Sequence, residues 1–566
     1  MKKILVTSAL PYINGVPHLG HIVGCLLPSD VYARFMRLCG HDVLYIAGTD
    51  EHGTTSEVGA LKAGMDVQSY CDMFHEKHAQ TYKDFNLSFD YFGRTSSEQN
   101  KELTYRIFEA LDKNGFIEER EIKQVYSVDD KMFLADRYIT GTCPYCGYEK
   151  ARGDQCENCT KVLEPTDLIN PKSAVSGATN LEIRASKHLF LNLPKIEPEL
   201  KDWLKTKEAF WPEVAYSIAL KWLKEGLQPR CITRDLKWGF PVPKKGYEDK
   251  VFYVWFDAPI GYIGITKQWS DEKPQERNWR DWWFENKDIY YVQFMGKDNV
   301  PYHSITFPAT LLGTKENFKQ VDFLKGASYL TFEGGKFSKS EKRGVFASDA
   351  VEEFEADYWR YFLMSNMPES SDSSFTFDLF AGTVNKDLNG VLGNFVSRVL
   401  KMTASKIGQT VPEAGEMTEL EKQMVENMKT HIDLYFKYMK ALEFRKALAE
   451  LRAVWVEANN YITLAEPWTV IKENEARAGN ILNVCMNLIR IFALITYPVM
   501  PQTSEKMLAR FGLKINAKND LKDFDLRTEL SFFKGGEPFE VGEALFERIS
   551  PERVTELKIK YGGGNE

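Results

Sequence analysis

With 566 residues, 43% of them hydrophobic and 27% charged, the chain exceeds what one hydrophobic core can serve and has the composition of a globular protein of several domains. A formal net charge of -8 excludes a protein that coats nucleic acid indiscriminately, but leaves room for a shaped site with local Arg and Lys. No run of eighteen apolar residues marks a membrane span, and nine cysteines, four of them between Cys143 and Cys159, point to a metal site in a reducing cytoplasm.

The opening MKKILVTSALPY has two lysines ahead of an apolar stretch, but that stretch stops at Pro11, so no cleaved signal is expected. Residues 3–9 (KILVTSA) read as a short buried strand. A Pro/Gly-containing loop follows, then a helix on which Ile22, Val23, Leu26, Leu27, Val31, Phe35 and Leu38 recur at helical spacing. A second strand, Val43–Ala47, ends at Gly48-Thr49-Asp50. This strand–helix–strand crossover predicts a parallel α/β sheet of Rossmann type, which binds ligands at the carboxyl ends of its strands. Two further strand-like runs, Phe252–Phe256 and Ile289–Phe294, appear only after a cysteine-bearing stretch of more than a hundred residues. The sheet is therefore expected to be split by an insertion.

From about residue 378 the pattern turns to long helical periodicities without a fixed repeat, which predicts an all-α bundle. The expected division is a first sheet half (1–116), an insertion (117–235), a second sheet half (236–325), a linker with a basic loop (326–377), the helical bundle (378–530) and a tail (531–566) that frays towards its end.

Three constellations carry chemistry. His18-Leu19-Gly20-His21 sits between the first strand and its helix, where backbone N–H groups and the helix dipole favour phosphate. Two imidazoles add hydrogen bonds and Gly20 leaves room for a close approach, although so short a pattern is also what a helix start with two histidines would show. Lys336-Phe337-Ser338-Lys339-Ser340, preceded by Gly334-Gly335, is a cationic loop suited to a triphosphate and a departing pyrophosphate. Alone it reads equally as a solvated loop; downstream of HLGH in one chain it is far more specific. Cys143-x2-Cys146-x9-Cys156-x2-Cys159 offers four thiolates for a closed tetrahedral Zn2+, structural because no coordination position stays open.

HLGH followed by KFSKS resembles the signature pair of the class I aminoacyl-tRNA synthetases. Ala9–Tyr12, Gly48–Gly53, Phe252–Tyr262 and Gly296-Lys297-Asp298 are similar to the methionine-specific branch of that family, over nearly the whole chain to about residue 520. Phe337 departs from the common Met and reads as a spacer between cations.

The resemblance implies a ligase that activates L-methionine with ATP and Mg2+ and transfers it to the 3′-terminal adenosine of tRNA(Met), initiator included. His18, His21, Lys336 and Lys339 take the catalytic roles, and with Gly20, Gly296 and Asp298 they hold ATP. Asp50 receives the methionine ammonium, a charge-assisted bond. Leu10, Tyr12, Trp255, Ala258, Pro259, Tyr262, His303 and Phe307 line or flank the side chain, aromatic rings being good partners for sulfur; Leu10 and Phe307 read equally as core. Asn394 and Arg398, four apart on one helix face, with Pro467 and Trp468, match anticodon-reading positions. With no appended C-terminal tRNA-binding domain evident after residue 550, a cytoplasmic monomer is expected.

Sister enzymes for leucine, isoleucine or valine share both nucleotide motifs but carry a large editing insertion, for which residues 117–235 are too few once the zinc knuckle is counted. A cysteine-specific enzyme would place zinc in its active site. A zinc-bearing RNA-binding protein without activity would not need both histidines and both lysines, and a nucleotidylyltransferase would not need the helical bundle.

Overall fold

The computed structural model describes residues 2–562 except 14, 135–137, 154, 155, 157, 160, 162, 285–287, 336 and 338–342. Five parallel strands form the central sheet in the order Phe323–Ala327, Ile289–Gly296, Lys3–Ser8, Asp42–Thr49, Tyr91–Arg94. Chain order reverses between Lys3–Ser8 and Ile289–Gly296, and a doubly wound sheet opens its ligand crevice at that point. The strands are apolar because helices cover both faces: Ile4, Leu5, Val6, Tyr291, Val292 and Phe294 are at most 1% exposed. Gly48 is required where this packing is tightest, since a Cβ there would lie 2.4 Å from the Gly93 carbonyl oxygen and 2.7 Å from Ile265.

Both helices that leave the switch point begin with the same device. After Leu19–His21 the chain makes a π-helical turn, Ile22–Leu26, before Leu27–Leu38; after Ile289–Gly296 it makes another, Tyr302–Thr306, before Phe307–Gly313. In each the second residue of the following α-helix is a proline, Pro28 or Pro308. Proline lacks the N–H that an α-helical ladder would need there, and the wider turn shifts the register around the gap.

One expected strand is a helix. Only Val251–Phe252 is extended, and Val254–Asp271 is helical despite Pro259. Its Val, Phe, Tyr and Trp residues favour strands locally, but the helix is buried on nearly every side, with Ile260, Ile263 and Ile265 at 0% exposure. Tertiary burial overrides the propensity, and the same burial erases the one-sided periodicity that would have betrayed a helix.

The insertion contains the long antiparallel pair Ile117–Ser127 with Leu181–Leu191 and a three-stranded sheet, Ala151–Arg152, Ile139–Thr142 and Ile169–Ser173, with its own small core. Tyr138 Oη donates to Glu57 at 2.9 Å and ties this unit to the first sheet half.

Arg360, at 0% exposure, fastens the sheet to the bundle. Its guanidinium donates to Asp30 at 2.7 Å, to the carbonyls of Phe85 and Asn86, and to those of Pro498 and Val499. In the bundle, Glu475–Thr496 is long and apolar enough to cross a membrane, but 94% of its apolar window is buried inside the protein. Asn480, Asn483 and Asn487 along it hydrogen-bond the 412–416 loop and Phe533, as a core helix requires.

The tail packs as an ordered return up to residue 562. Ser550 caps a helix, Pro551–Tyr561, whose Val554, Leu557 and Tyr561 are buried while Arg553, Lys560 and the Tyr561 hydroxyl converge on Glu353. An ordered return of this kind leaves no local composition signal, because its partner lies two hundred residues away; residues 563–566 lie outside the described residues.

Candidate active site

At the switch point a cavity of about 340 Å3 gathers Leu10, Tyr12, His18, Gly20, His21, Asp50, Trp255, Ala258, Pro259, Tyr262, Gly296, Asp298 and His303. Of the residues expected around methionine, only Phe307 is not in the lining: it is 4% exposed and packs behind Tyr262, ring centroids 6.1 Å apart. The core alternative fits it, since it is buried and outside the lining. Lys336 and Lys339 lie outside the described residues.

His18 and His21 cap the helix start reciprocally: His18 Nδ1 accepts from Gly20 N at 3.1 Å, and His21 Nδ1 accepts from His18 N at 3.2 Å. A ring nitrogen that accepts from a backbone N–H carries no proton, so each neutral imidazole bears its hydrogen on Nε2 and presents a donor. The close approach at Gly20 is intramolecular, since a Cβ there would stand 2.8 Å from the His18 ring. Phe337 is not merely a spacer: its ring stacks on His18 at 4.4 Å and 4° and thereby fixes the imidazole plane.

Asp50 follows the second strand, is 4% exposed, and has an Oδ1 without a hydrogen-bond partner among the described residues. Burial, then the neighbouring Asp257 and Glu51 charges, hold its carboxyl well above the usual range. A buried acceptor left open in this way is a receptor for a cation. Asp257 is partly relieved by His52, whose Nδ1 contacts Oδ2, and Glu51 is bound by Arg94 at 3.0 Å.

The other end of the cavity is uncharged. Burial pushes His303 down to about 4, so the ring is neutral near pH 7. Its Nδ1 donates to the Asn299 carbonyl at 2.8 Å, which leaves Nε2 to accept from the Tyr262 hydroxyl at 2.9 Å. Trp255 stacks on Tyr302 at 3.6 Å and meets Tyr12 edge-on at 6.2 Å. The result is an aromatic slot without formal charge, suited to an apolar or thioether chain. Tyr262→Phe is expected to leave His303 Nε2 buried and unsatisfied, a loss of about 1–3 kcal/mol; a thermal melt unchanged from the parent would contradict this assignment of the proton.

Asn299, Ser328, Tyr329 and Leu330 also line the cavity and were not anticipated. Three of them follow Phe323–Ala327, a strand that sequence reading did not recognise. Lys297 lies 4.3 Å over the Tyr329 ring, and Asp372 binds both Lys297 Nζ and Tyr329 N.

The four cysteines form one cluster, their sulfurs all within 4.8 Å of one another, with Cys143–Cys159 at 3.8 Å and Cys146–Cys156 at 3.6 Å. A tetrahedral zinc with bonds of ~2.3 Å would set sulfur–sulfur edges of about 3.8 Å. The donor set can hold a metal ion, and four thiolates leave it no open position.

In the bundle, Asn394 and Arg398 lie on the helix Asn394–Lys406. Glu466, in left-handed conformation at φ 42°, ends one helix and begins Pro467–Val470, which turns Trp468 outward to 36% exposure while Pro467 is buried. The Arg398 guanidinium lies 4.3 Å over the Trp468 ring, so residues seventy apart in sequence form one surface.

Comparison with known proteins places the chain in a family. A family profile described as tRNA synthetases class I (M) matches residues 4–400, and one described as the anticodon binding domain of methionyl tRNA ligase matches residues 411–566. Curated proteins named methionine–tRNA ligase from Streptomyces avermitilis and methionine–tRNA ligase 1 from Acaryochloris marina are each 50% identical, covering 100% and 99% of this chain and all of their own. The solved structure of Mycobacterium tuberculosis methionyl-tRNA synthetase in complex with methionyl-adenylate superposes with a TM-score of 0.78 at 25% identity, over 97% of this chain and 100% of its own.

Proposed function

The chain belongs to the methionine-specific class I tRNA synthetases, and from that premise we propose which of its residues carry the two steps of methionine–tRNA ligation. The reaction activates L-methionine with ATP to methionyl-adenylate and pyrophosphate, then transfers methionine to the 3′-terminal adenosine of tRNA. The observation that carries the residue assignment is the single cavity that joins an open, buried carboxylate, a neutral aromatic slot and the HLGH helix start.

Asp50 takes the ammonium and Tyr12, Trp255, Tyr262 and His303 enclose the thioether, with Leu10, Ala258 and Pro259 completing the walls. The methionine carboxylate then faces the α-phosphorus, and because it is already a nucleophile no general base is needed. Its oxygen bonds to phosphorus as the bond to pyrophosphate breaks. Positioning and charge stabilisation supply the acceleration. The Nε2 hydrogens of His18 and His21 donate to phosphate oxygens, Asp298 beside Gly296 accepts from ribose hydroxyls, and Gly20 permits the turn that aims the histidines. Lys336 and Lys339 are assigned to the departing pyrophosphate. Mg2+ would accompany ATP and neutralise part of its charge.

The anticodon of tRNA(Met) is assigned to Asn394, Arg398, Pro467 and Trp468. The metal of Cys143, Cys146, Cys156 and Cys159 is assigned as one structural Zn2+, supported by the sulfur spacing. Removing it with a chelator is expected to expose the 139–173 region to protease first, with methionine activation lost later; metal analysis without zinc, or instant loss of activation with that region intact, would contradict a structural role. A cytoplasmic monomer completes the reading, and sedimentation of the purified protein checks the mass.

The decisive experiment is amino-acid-dependent exchange of pyrophosphate into ATP across the twenty amino acids. Methionine should dominate. Equal turnover with leucine, isoleucine or valine would overturn the slot assignment.

A further inference from the structure

One helix joins the two sites. Phe444–Ala465, 22 residues and so about 33 Å long, starts against the sheet that forms the methionine cavity and ends at Glu466, the residue that turns Trp468 outward. Non-glycine residues in left-handed conformation bound it on both sides, Leu442 at φ 59° before it and Glu466 at φ 42° after it. Backbone of that kind persists only where its surroundings over-determine it. Entry to and exit from this helix are therefore both set by tertiary contacts.

The entry is set by a buried ion pair. Lys325, in the strand Phe323–Ala327, donates to Glu369 Oε1 at 2.9 Å and to the carbonyl of the left-handed Leu442 at 2.7 Å. The Glu369 carboxylate in turn accepts from the first two helical N–H groups, Phe444 at 3.0 Å and Arg445 at 3.2 Å. Glu443, at the N-cap, makes no side-chain cap. Glu369 takes that role from seventy-five residues away, with a negative charge where the helix dipole favours one. The Phe444 ring closes the joint, 6.3 Å from the ring of Phe294, which pairs with Lys325 in the sheet register. The joint borders the methionine cavity: Pro368, next to Glu369, accepts from Ser328 N at 2.8 Å, and Ser328 is in the cavity lining.

We propose that the Lys325–Glu369 pair is a positioning device for tRNA charging: it sets the direction of the Phe444–Ala465 helix from the sheet, so that a tRNA held by its anticodon at Trp468 delivers its 3′ end to the methionine cavity. This rests on the methionine and anticodon assignments above. Neither residue lines the cavity, and both act through the helix. Over about 33 Å, a tilt of about 4° displaces one end relative to the other by about 2 Å. A misplacement of about 1 Å at a reacting centre can cost about a hundredfold in rate.

Hydrogen bonds to a carboxylate and a carbonyl are directional, whereas the packing of Phe444 on Phe294 is not. The pair therefore supplies the angle and the rings supply the adhesion. Arg360 ties sheet and bundle at a separate point, through the Pro498 and Val499 carbonyls. Removing the pair leaves that tie in place, so the domains stay joined while this one helix loses its set direction.

The test separates the two ends from the link between them, using the full-length, zinc-loaded protein. Lys325→Met keeps an unbranched stem over Phe444 and removes the ammonium; Lys325→Arg keeps the charge. In K325M, methionine-dependent pyrophosphate exchange should stay within about twofold of the parent, while single-turnover transfer of methionine to tRNA(Met) falls about tenfold to a hundredfold. A stem-loop hairpin carrying the tRNA(Met) anticodon should inhibit charging by K325M and by the parent with the same inhibition constant. K325R should recover most of the lost transfer. Removing one partner of a buried pair can unfold a protein, whereas removing both charges is often near neutral. The double variant K325M/E369Q should therefore melt close to the parent and still transfer about tenfold more slowly. Transfer by the double variant at the parental rate would overturn the proposal. So would a double variant whose exchange or hairpin inhibition falls in step with transfer, because the pair would then be a packing feature. A parent protein that prefers another amino acid, or whose charging the hairpin does not inhibit, would overturn the assignment of that site instead. The ratio of transfer to exchange in the double variant, with whichever amino acid is activated, would still decide the role of the pair.

Discussion

Replacing Asp50 by asparagine is expected to weaken methionine binding by roughly two orders of magnitude while making the ligand-free protein more stable. The binding loss follows from leaving the ammonium without its buried counter-charge, a truncation that costs about 2–5 kcal/mol, or roughly thirtyfold to a few thousandfold. The stability gain follows from the sign of the linkage. Burial and the Asp257 and Glu51 charges raise the Asp50 carboxyl in the folded state, so above the ordinary carboxylate value of about 3.9 the folded chain holds more protons than the unfolded one. Stability is therefore lost as pH rises through this window and stays lost above the raised value. Asparagine keeps the shape and removes the charge, so the melting temperature of the ligand-free variant at pH 7–8 should exceed that of the parent.

A second consequence is separable. Methionine binding should release a proton from Asp50 and tighten with rising pH until the raised value is passed, and D50N should lose that slope. His303, already neutral with its value near 4, contributes no slope between about pH 6 and 8. Calorimetry in buffers of different ionisation heat measures the proton count. A D50N protein that binds methionine as tightly as the parent would remove Asp50 from the ammonium site.

The trade between binding and stability at Asp50 also shows what the sequence made legible. A buried strand ending in Gly-Thr-Asp is readable because strands in a covered parallel sheet are continuous apolar runs, and ligands gather at their carboxyl ends. The HLGH start and the four-cysteine knuckle are readable for a similar reason: the chemistry lies within a few residues. The strand Phe323–Ala327 was not readable, because Lys325 and Gly326 break its apolar run. Lys325 is nevertheless 6% exposed, satisfied by Glu369 at 2.9 Å and the Leu442 carbonyl at 2.7 Å. Partners so far along the chain leave no local mark, and with that strand went Ser328, Tyr329 and Leu330. The helix Val254–Asp271 was hidden by the opposite condition, apolar residues on every face, although Trp255, Ala258, Pro259 and Tyr262 on it do line the cavity, as the resemblance to the family implies. The His18–Phe337 stack could not have been foreseen, since nothing in the spacing of two motifs more than three hundred residues apart says which side chains will touch.

Trp468→Ala should divide the two steps of the reaction. The indole is turned outward by the left-handed Glu466 and the buried Pro467, and one of its faces is covered by the Arg398 guanidinium at 4.3 Å. An exposed ring held from one side is preorganised to stack an unpaired base on the other, a contact of ~1–3 kcal/mol. Charging of tRNA(Met) should fall by roughly tenfold to a hundredfold, with each 1.4 kcal/mol about a factor of ten. Exchange of pyrophosphate with methionine should be nearly unchanged, because neither Trp468 nor Arg398 lines the methionine cavity. Arg398→Ala should also lower charging, and the double variant should lose less than the sum of the two free energies, since the guanidinium acts partly by holding the ring. Both steps and a thermal melt are measured on the same preparations. If Trp468→Ala loses exchange and melting temperature together with charging, the indole is a packing residue of the bundle and the anticodon assignment for it falls.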